Sequence, residues 1–262
     1  MSLISVGELL RVVAVRKGRA PAVASRPGSM SLLEAAAIAG TLGRPSKLPG
    51  FSYGIDATLC KTGSTMVGVP GSICAGCYAL KDFYRSWRPA ALGRERRQSS
   101  LEDPRWVDAM VRQIAHHCVG EHRWFRWHDS GDLQSADHLE RIAAVCDRTP
   151  DVRHWLPTRE YAMVLEVRRR RPLPGNLVVR LSALMVDSEP PRALPGLVVP
   201  LHARTIPREL WDLPTSTVHT AQNPVEGRKS IACRAIEVRH NTCGPCRACW
   251  DPRVGNVSYP QH

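Results

Sequence analysis

The chain has 262 residues, with 36 Lys and Arg against 24 Asp and Glu, a formal charge of +12. That length suits one large or two small domains, and an apolar share of 43% is enough to bury a core. No apolar run nears the ~20 residues that cross a bilayer, which argues against a membrane-spanning helix. The basic surplus favours nucleic acid or a nucleotide as partner, because phosphates attract Lys and Arg and release counterions.

The first 45 residues read as an appendage. They hold two weakly helical stretches, 7–15 and 31–42, around a basic Pro/Ser/Gly-containing segment, 16–28. The N-terminal apolar stretch lacks the charge order of a signal peptide, so a cytoplasmic location is expected. There, nine cysteines argue for metal or redox chemistry rather than a disulfide scaffold. Residues 51–84, rich in Gly, Ser, Pro and Cys, read as a structured loop with short strands and no helix.

A rhythm follows. Residues 104–118 read as a helix with Pro at its start, and the aromatic run 123–128 as a strand. Residues 135–146 fit a helix with Leu139, Ile142, Ala143 and Cys146 on one face. Then come a strand at 152–156, a helix at 159–171 stopped by Pro172, and a β-branched strand at 176–181. Residues 197–201 and 215–219 are further strand candidates. The alternation predicts βαβ units and a parallel sheet. The expected architecture is α/β, a partial or complete (β/α) barrel over residues 46–220, followed by a Cys-rich metal-binding segment, 221–262.

Polar motifs follow successive strands: His128–Gln134 (HDSGDLQ) after the first, Pro157–Glu160 (PTRE) after the second, and Ser182–Ala183 after the third. In parallel sheets, ligand sites form at the C-terminal ends of strands, so the three motifs are expected to converge on one mouth. The plain alternative is a set of turns and helix caps. Asp129, Asp132, His128 and Arg159 are the candidate catalytic residues. Asp129 and Asp132 can act as acid and base, His128 can carry a proton or ligate a metal, and Arg159 can clamp a carboxylate or phosphate. Ser130 and Gly131, within the turn, and Glu160 and Ser182 are candidate cofactor contacts, together with Tyr78.

The cysteines form two groups. Cys60, Cys74 and Cys77 number three, whereas a structural zinc site usually closes with four ligands. The missing fourth leaves a position for substrate or cofactor. A [4Fe–4S] cluster, zinc completed by a distant residue, and a metal-free trio are the readings. Cys233, Cys243, Cys246 and Cys249 place four thiolates within seventeen residues, with two successive x2 steps. Their spacing suits a second iron–sulfur cluster or a zinc ion. Cys118 and Cys146, on expected helices, read as core residues. The run Arg168–Arg171 reads as a solvated helix end. Arg85, Arg88, Arg94, Arg96 and Arg97, with Tyr84 and Trp87, are the candidate nucleic-acid zone.

The motifs CAGCYA (74–79), RWHDSGDLQ (126–134), WLPTRE (155–160), RLSA (180–183) and CGPCRACWD (243–251) resemble the phage gene product 88 family over residues 46–262. That family is distantly similar to radical-SAM-like barrel proteins. Gly76 stands where such enzymes generally carry an aromatic residue, and Tyr78 follows the cysteine instead. The resemblance implies a phage-type metalloenzyme in the cytoplasm of an infected host. It implies a [4Fe–4S] cluster on Cys60, Cys74 and Cys77, S-adenosylmethionine, an electron donor, and modification of a nucleic acid base or nucleotide. The rival from another class is a non-catalytic, zinc-stabilised nucleic-acid-binding protein, and a third reading is a zinc-dependent hydrolase or transferase.

Overall fold

The computed structural model describes residues 30–81, 88–189, 205–220, 230–235 and 241–261. The stretches 7–15, 16–28 and 197–201, and Tyr84, Arg85 and Trp87, lie outside them. Seven strands form one sheet, and every pairing is parallel. They are β1 (Phe51–Tyr53), β2 (Trp124–Trp127), β3 (Arg153–Thr158), β4 (Leu177–Ser182), β5 (Thr215–His219), β6 (Ser230–Ala232) and β7 (Asn256–Pro260). The order is β1-β2-β3-β4-β5-β7-β6. The parallel sheet predicted from the alternation is therefore present. The sheet is open, with β1 and β6 at its edges among the described residues.

The helices are α1 (Leu32–Ala39), α2 (Lys61–Met66), α3 (Arg88–Ser100), α4 (Trp106–His117), α5 (Ala136–Asp147) and α6 (Tyr161–Arg170). Ser31 caps α1 by accepting from Glu34 N, and Ser135 caps α5 by accepting from His138 N. Parallel strands taken in sequential order, joined by right-handed crossovers, place their helices on one face. Accordingly α1 packs on α4, α4 on α5 and α5 on α6. Under them lies the main core, built around Trp106, Trp127, Phe125, Leu139, Ile142, Leu156, Val179 and Leu181. The strand period of two sends the alternate residues to the other face. There Trp155 packs with Cys249, Trp250 and Val257, and with half-buried Trp124 and Tyr259.

Two local expectations are corrected. Residues 51–84 contain a helix, α2, which the composition KTGSTM does not favour; Glu160, distant in sequence, supplies the acceptors for its first turn. The Cys-rich segment does not stand apart from the rhythm, since β6 and β7 continue the sheet beyond β5. None of the described helices is long and apolar enough to cross a membrane.

Candidate metal and substrate site

The loops after β1, β2 and β3 meet at the C-terminal ends of the strands. Ser130 ties the first two together: its Oγ donates to Ile55 O at 2.6 Å, and Ile55 N donates back to Ser130 O at 2.9 Å. Gly131 takes φ +80°, and a Cβ there would stand 2.4 Å from Ile55 Cγ1, so the close approach requires glycine. Asp132 turns inward and accepts from Thr158 Oγ1 at 2.6 Å, Arg159 N at 2.9 Å and Leu133 N at 2.8 Å. Burial, then the nearby Glu160 charge, push its pKa up to about 6 against those hydrogen bonds. Glu160 is fully buried and accepts from Thr62 N at 2.7 Å and Thr62 Oγ1 at 3.0 Å. Thr62 stands two residues after Cys60, so the second motif anchors the first cysteine's helix.

Around this frame stand Cys60, Cys74 and Cys77, all free thiols. Gly63 keeps room between two of them: a Cβ there would lie 3.6 Å from Cys60 Sγ, 3.7 Å from Cys74 Sγ and 2.8 Å from Cys60 Cβ. Burial is the main cause that raises the Cys60 thiol pKa, and Asp132, Cys74 and Cys77 add to it. Burial likewise raises Cys74, with Arg159 opposing. Arg159 Nε donates to Ala183 O at 3.1 Å, which brings the third motif to the same place. Burial disfavours the Arg159 charge, yet Cys74, Asp132, Tyr161 and Cys60 together hold its pKa above the ordinary value. Three sulfurs, a guanidinium and two buried carboxylates thus lie in one region at the strand ends, near enough to shift one another's charge equilibria.

The remaining candidates divide. Asp129 accepts from Ser52 Oγ at 2.9 Å, and its backbone oxygen accepts from the Tyr78 hydroxyl. Both residues therefore border the thiols, and Tyr78 is exposed. Ser182 shares a hydrogen bond with Ser216 at 3.0 Å on the inner face, one strand further along. His128 is not brought to the thiols. It takes φ 53°, and its ring meets His138 of α5 edge-on at 5.3 Å, in the helix-covered core. Burial drives its pKa far below the ordinary value.

The second group converges on the inner face. Cys233, Cys243, Cys246 and Cys249 line one pocket with Trp250, Val257 and Arg234, with about 30 Å³ of room for a water-sized sphere. Cys249 Sγ lies 3.1 Å from Tyr259 Oη. Burial raises the Cys249 thiol pKa to about 12, with Tyr259 and Arg180 opposing. The turn carrying these cysteines is held by Arg180 of β4. Its guanidinium, fully buried, donates to the carbonyls of Ala248, Cys249, Asp251, Val254 and Thr215 at 2.7–3.2 Å. Among the described residues, no group of three or more His, Cys, Asp or Glu side chains is placed so that it could hold a metal ion. Thiols are the donor type that thiophilic metals take.

Two residues escaped the reading of the sequence. Arg126 faces inward from β2, its guanidinium 4.7 Å above the Trp155 ring, with Tyr78, Asp129, Tyr259 and Cys249 around it. The alternation in WFRW, with Phe125 and Trp127 on the helix side, carries that signal. Arg180 looked like one letter in an apolar strand, and nothing local announces five carbonyl partners. The Arg168–Arg171 run is tied to acids: Arg168 to Asp212, Arg169 to Glu209, Arg170 to Asp137, Glu140 and Glu166, and Arg171 to Asp147. Of the other basic zone, Arg97 spends its guanidinium on Thr41 O and Gly54 O, and Arg94 is buried, while Arg88 and Arg96 are exposed.

A family model described as gene product 88 matches residues 24–252, and so begins earlier than the motifs alone suggested. No curated protein and no solved structure matches the chain.

Proposed function

The chain belongs to the gene product 88 family, and from that premise we propose that it is an iron–sulfur metalloenzyme of radical-SAM type, acting on a nucleic acid base or nucleotide of a phage pathway. One observation carries the reading: three cysteines, not four, gather at the C-terminal ends of parallel strands beside Arg159, Asp132 and Glu160. Sequential order from β1 to β5, with helices on one face, fits a partial (β/α) barrel, and such barrels place their sites at this end. When bound by Cys60, Cys74 and Cys77, a [4Fe–4S] cluster would leave one iron without a thiolate, and would supply the electron that cleaves S-adenosylmethionine to methionine and a 5′-deoxyadenosyl radical.

The chain's own residues would do the rest. Arg159, held charged and fixed by Ala183 O, would orient a carboxylate. Asp132, with its raised pKa, is suited to hold or release a proton near neutrality. Asp129 and Tyr78 would border the entrance, and Ser182 the inner wall. The four-cysteine pocket would hold an auxiliary cluster or a structural zinc, with Arg180 locking the turn in place.

Anaerobic purification, followed by iron, sulfide and zinc analysis and a visible spectrum, tests the proposal. Brown protein with more than one cluster's worth of iron, which forms 5′-deoxyadenosine with dithionite and S-adenosylmethionine and loses that activity in Cys74→Ala, is expected. Colourless protein carrying two zinc ions would sink it and favour the zinc-stabilised binding protein instead.

A further inference from the structure

The N-terminal ends of the first three strands, opposite the thiol mouth, carry a cluster of cations. Arg123 precedes β2, is exposed, and holds its guanidinium 5.8 Å from the Trp124 ring centroid. Arg247, from the Cys-rich turn, holds its own 5.1 Å from the same ring. Arg153 opens β3, is exposed, and its N–H bonds Arg123 O at 2.8 Å. Lys47 is exposed, and its carbonyl accepts from Cys243 N at 2.9 Å. Arg44 is exposed and sits 5.6 Å over Phe51, which opens β1 and pairs with Phe125. Five cations from four separate stretches of chain are thus brought to the N-terminal ends of β1, β2 and β3.

None of the five enters an ion pair among the described residues. The arginines of α6 do the opposite, since Arg168, Arg169 and Arg170 each meet an acid. The exposed acids on the neighbouring turns are Glu121 and Asp151, two against five. Three of the four guanidiniums are steadied against aromatic rings, which reduces the entropy lost when they meet an anion. Arg247 also donates to Gly244 O at 2.6 Å and Cys246 O at 2.8 Å; with no acidic partner among the described residues, the cations of this rim attract a polyanion and repel other cations.

We propose that this rim, centred on Trp124, is a docking surface for the phosphate backbone of a nucleic acid. It would grip the strand away from the reacting nucleotide, at the end of the sheet opposite Cys60, Cys74 and Cys77. The inference deepens the nucleic-acid part of the proposed function and stands independently of the metal.

The test is fluorescence anisotropy with a labelled oligothymidylate of about 15 nucleotides, and with a duplex of equal length, between roughly 50 and 200 mM salt. The triple variant Arg44→Gln, Arg123→Gln, Arg153→Gln should bind at least about tenfold more weakly than the parent, with a salt slope for the single strand reduced by about 2. Arg169→Gln, on the helix face and paired to Glu209, should bind like the parent. Circular dichroism and metal analysis of the same samples verify that fold and thiol sites are intact. No binding by the parent, equal binding by the triple variant, or an equal loss in Arg169→Gln overturns the proposal. Tight binding by protein that carries no iron leaves the surface standing and removes the chemistry proposed above; iron without binding does the reverse.

Discussion

Gly63 shows how one missing methyl group can define a site. Glycine costs a helix about 1 kcal/mol relative to alanine, yet it stands inside α2, between the sulfurs of Cys60 and Cys74. Gly63→Ala should therefore separate two effects. Alanine favours the helix, so thermal stability of the metal-free protein should hold steady or rise slightly. The new Cβ, 2.8 Å from Cys60 Cβ, should displace that side chain and lower metal content by one site's worth, with the four-cysteine pocket still loaded. Metal analysis beside a melting curve reads both; unchanged metal content would mean that the first three cysteines do not ligate as a set. The three-cysteine count was legible in the sequence, but the space between the sulfurs was not. It depends on a helix that composition argues against.

That helix makes the same point at the scale of elements. α2 has only six residues and no side-chain cap at Cys60, and a helix this short is marginal in isolation. Glu160 replaces the cap from across the sheet, through two hydrogen bonds to Thr62. Glu160→Gln keeps an acceptor but removes the charge, and should cost on the order of 1–2 kcal/mol. The loss should be local, seen as faster hydrogen exchange at residues 61–66 with α5 and α6 unchanged. Uniformly faster exchange would show that Glu160 supports the whole fold rather than this helix. Helices α4, α5 and α6 were readable because each buries a periodic apolar face. β6 and β7 were not, since their register comes from β5 and from each other rather than from long alternating runs.

The whole molecule carries a histidine cluster beneath its helix layer. His128, His138 and His154 are buried; both ring nitrogens of His128, Nε2 of His138 and Nδ1 of His154 find no hydrogen-bond partner among the described residues, whereas His138 Nδ1 accepts from Gln134 N and His154 Nε2 meets Thr149 Oγ1. Burial lowers the pKa of His138 and His154 to about 3 from the ordinary 6.5, and lowers His128 in the same direction. In the unfolded chain these rings take protons first as pH falls. The stability they permit is therefore complete above about pH 6.5 and is lost progressively down to about pH 3, at up to about 1.4 kcal/mol per pH unit for each ring. Urea unfolding from pH 7.5 to 4.5 should show a steep decline, which His138→Gln reduces; a flat profile would mean that the rings are solvated. From the sequence alone came the parallel α/β alternation, the two cysteine groups, the polar motifs at strand ends and the basic excess, because each is written in local period, spacing or composition. Tertiary structure alone decided that the motifs at the ends of β2, β3 and β4 come together, that His128 turns away from the thiols, and that Arg126 and Arg180 face the inner side. It also decided which arginines meet an acid, as on α6, and which, like Arg123 and Arg247 beside Trp124, meet none among the described residues. Those outcomes depend on which strand lies beside which, and strand order is a property of the folded sheet rather than of any segment within it.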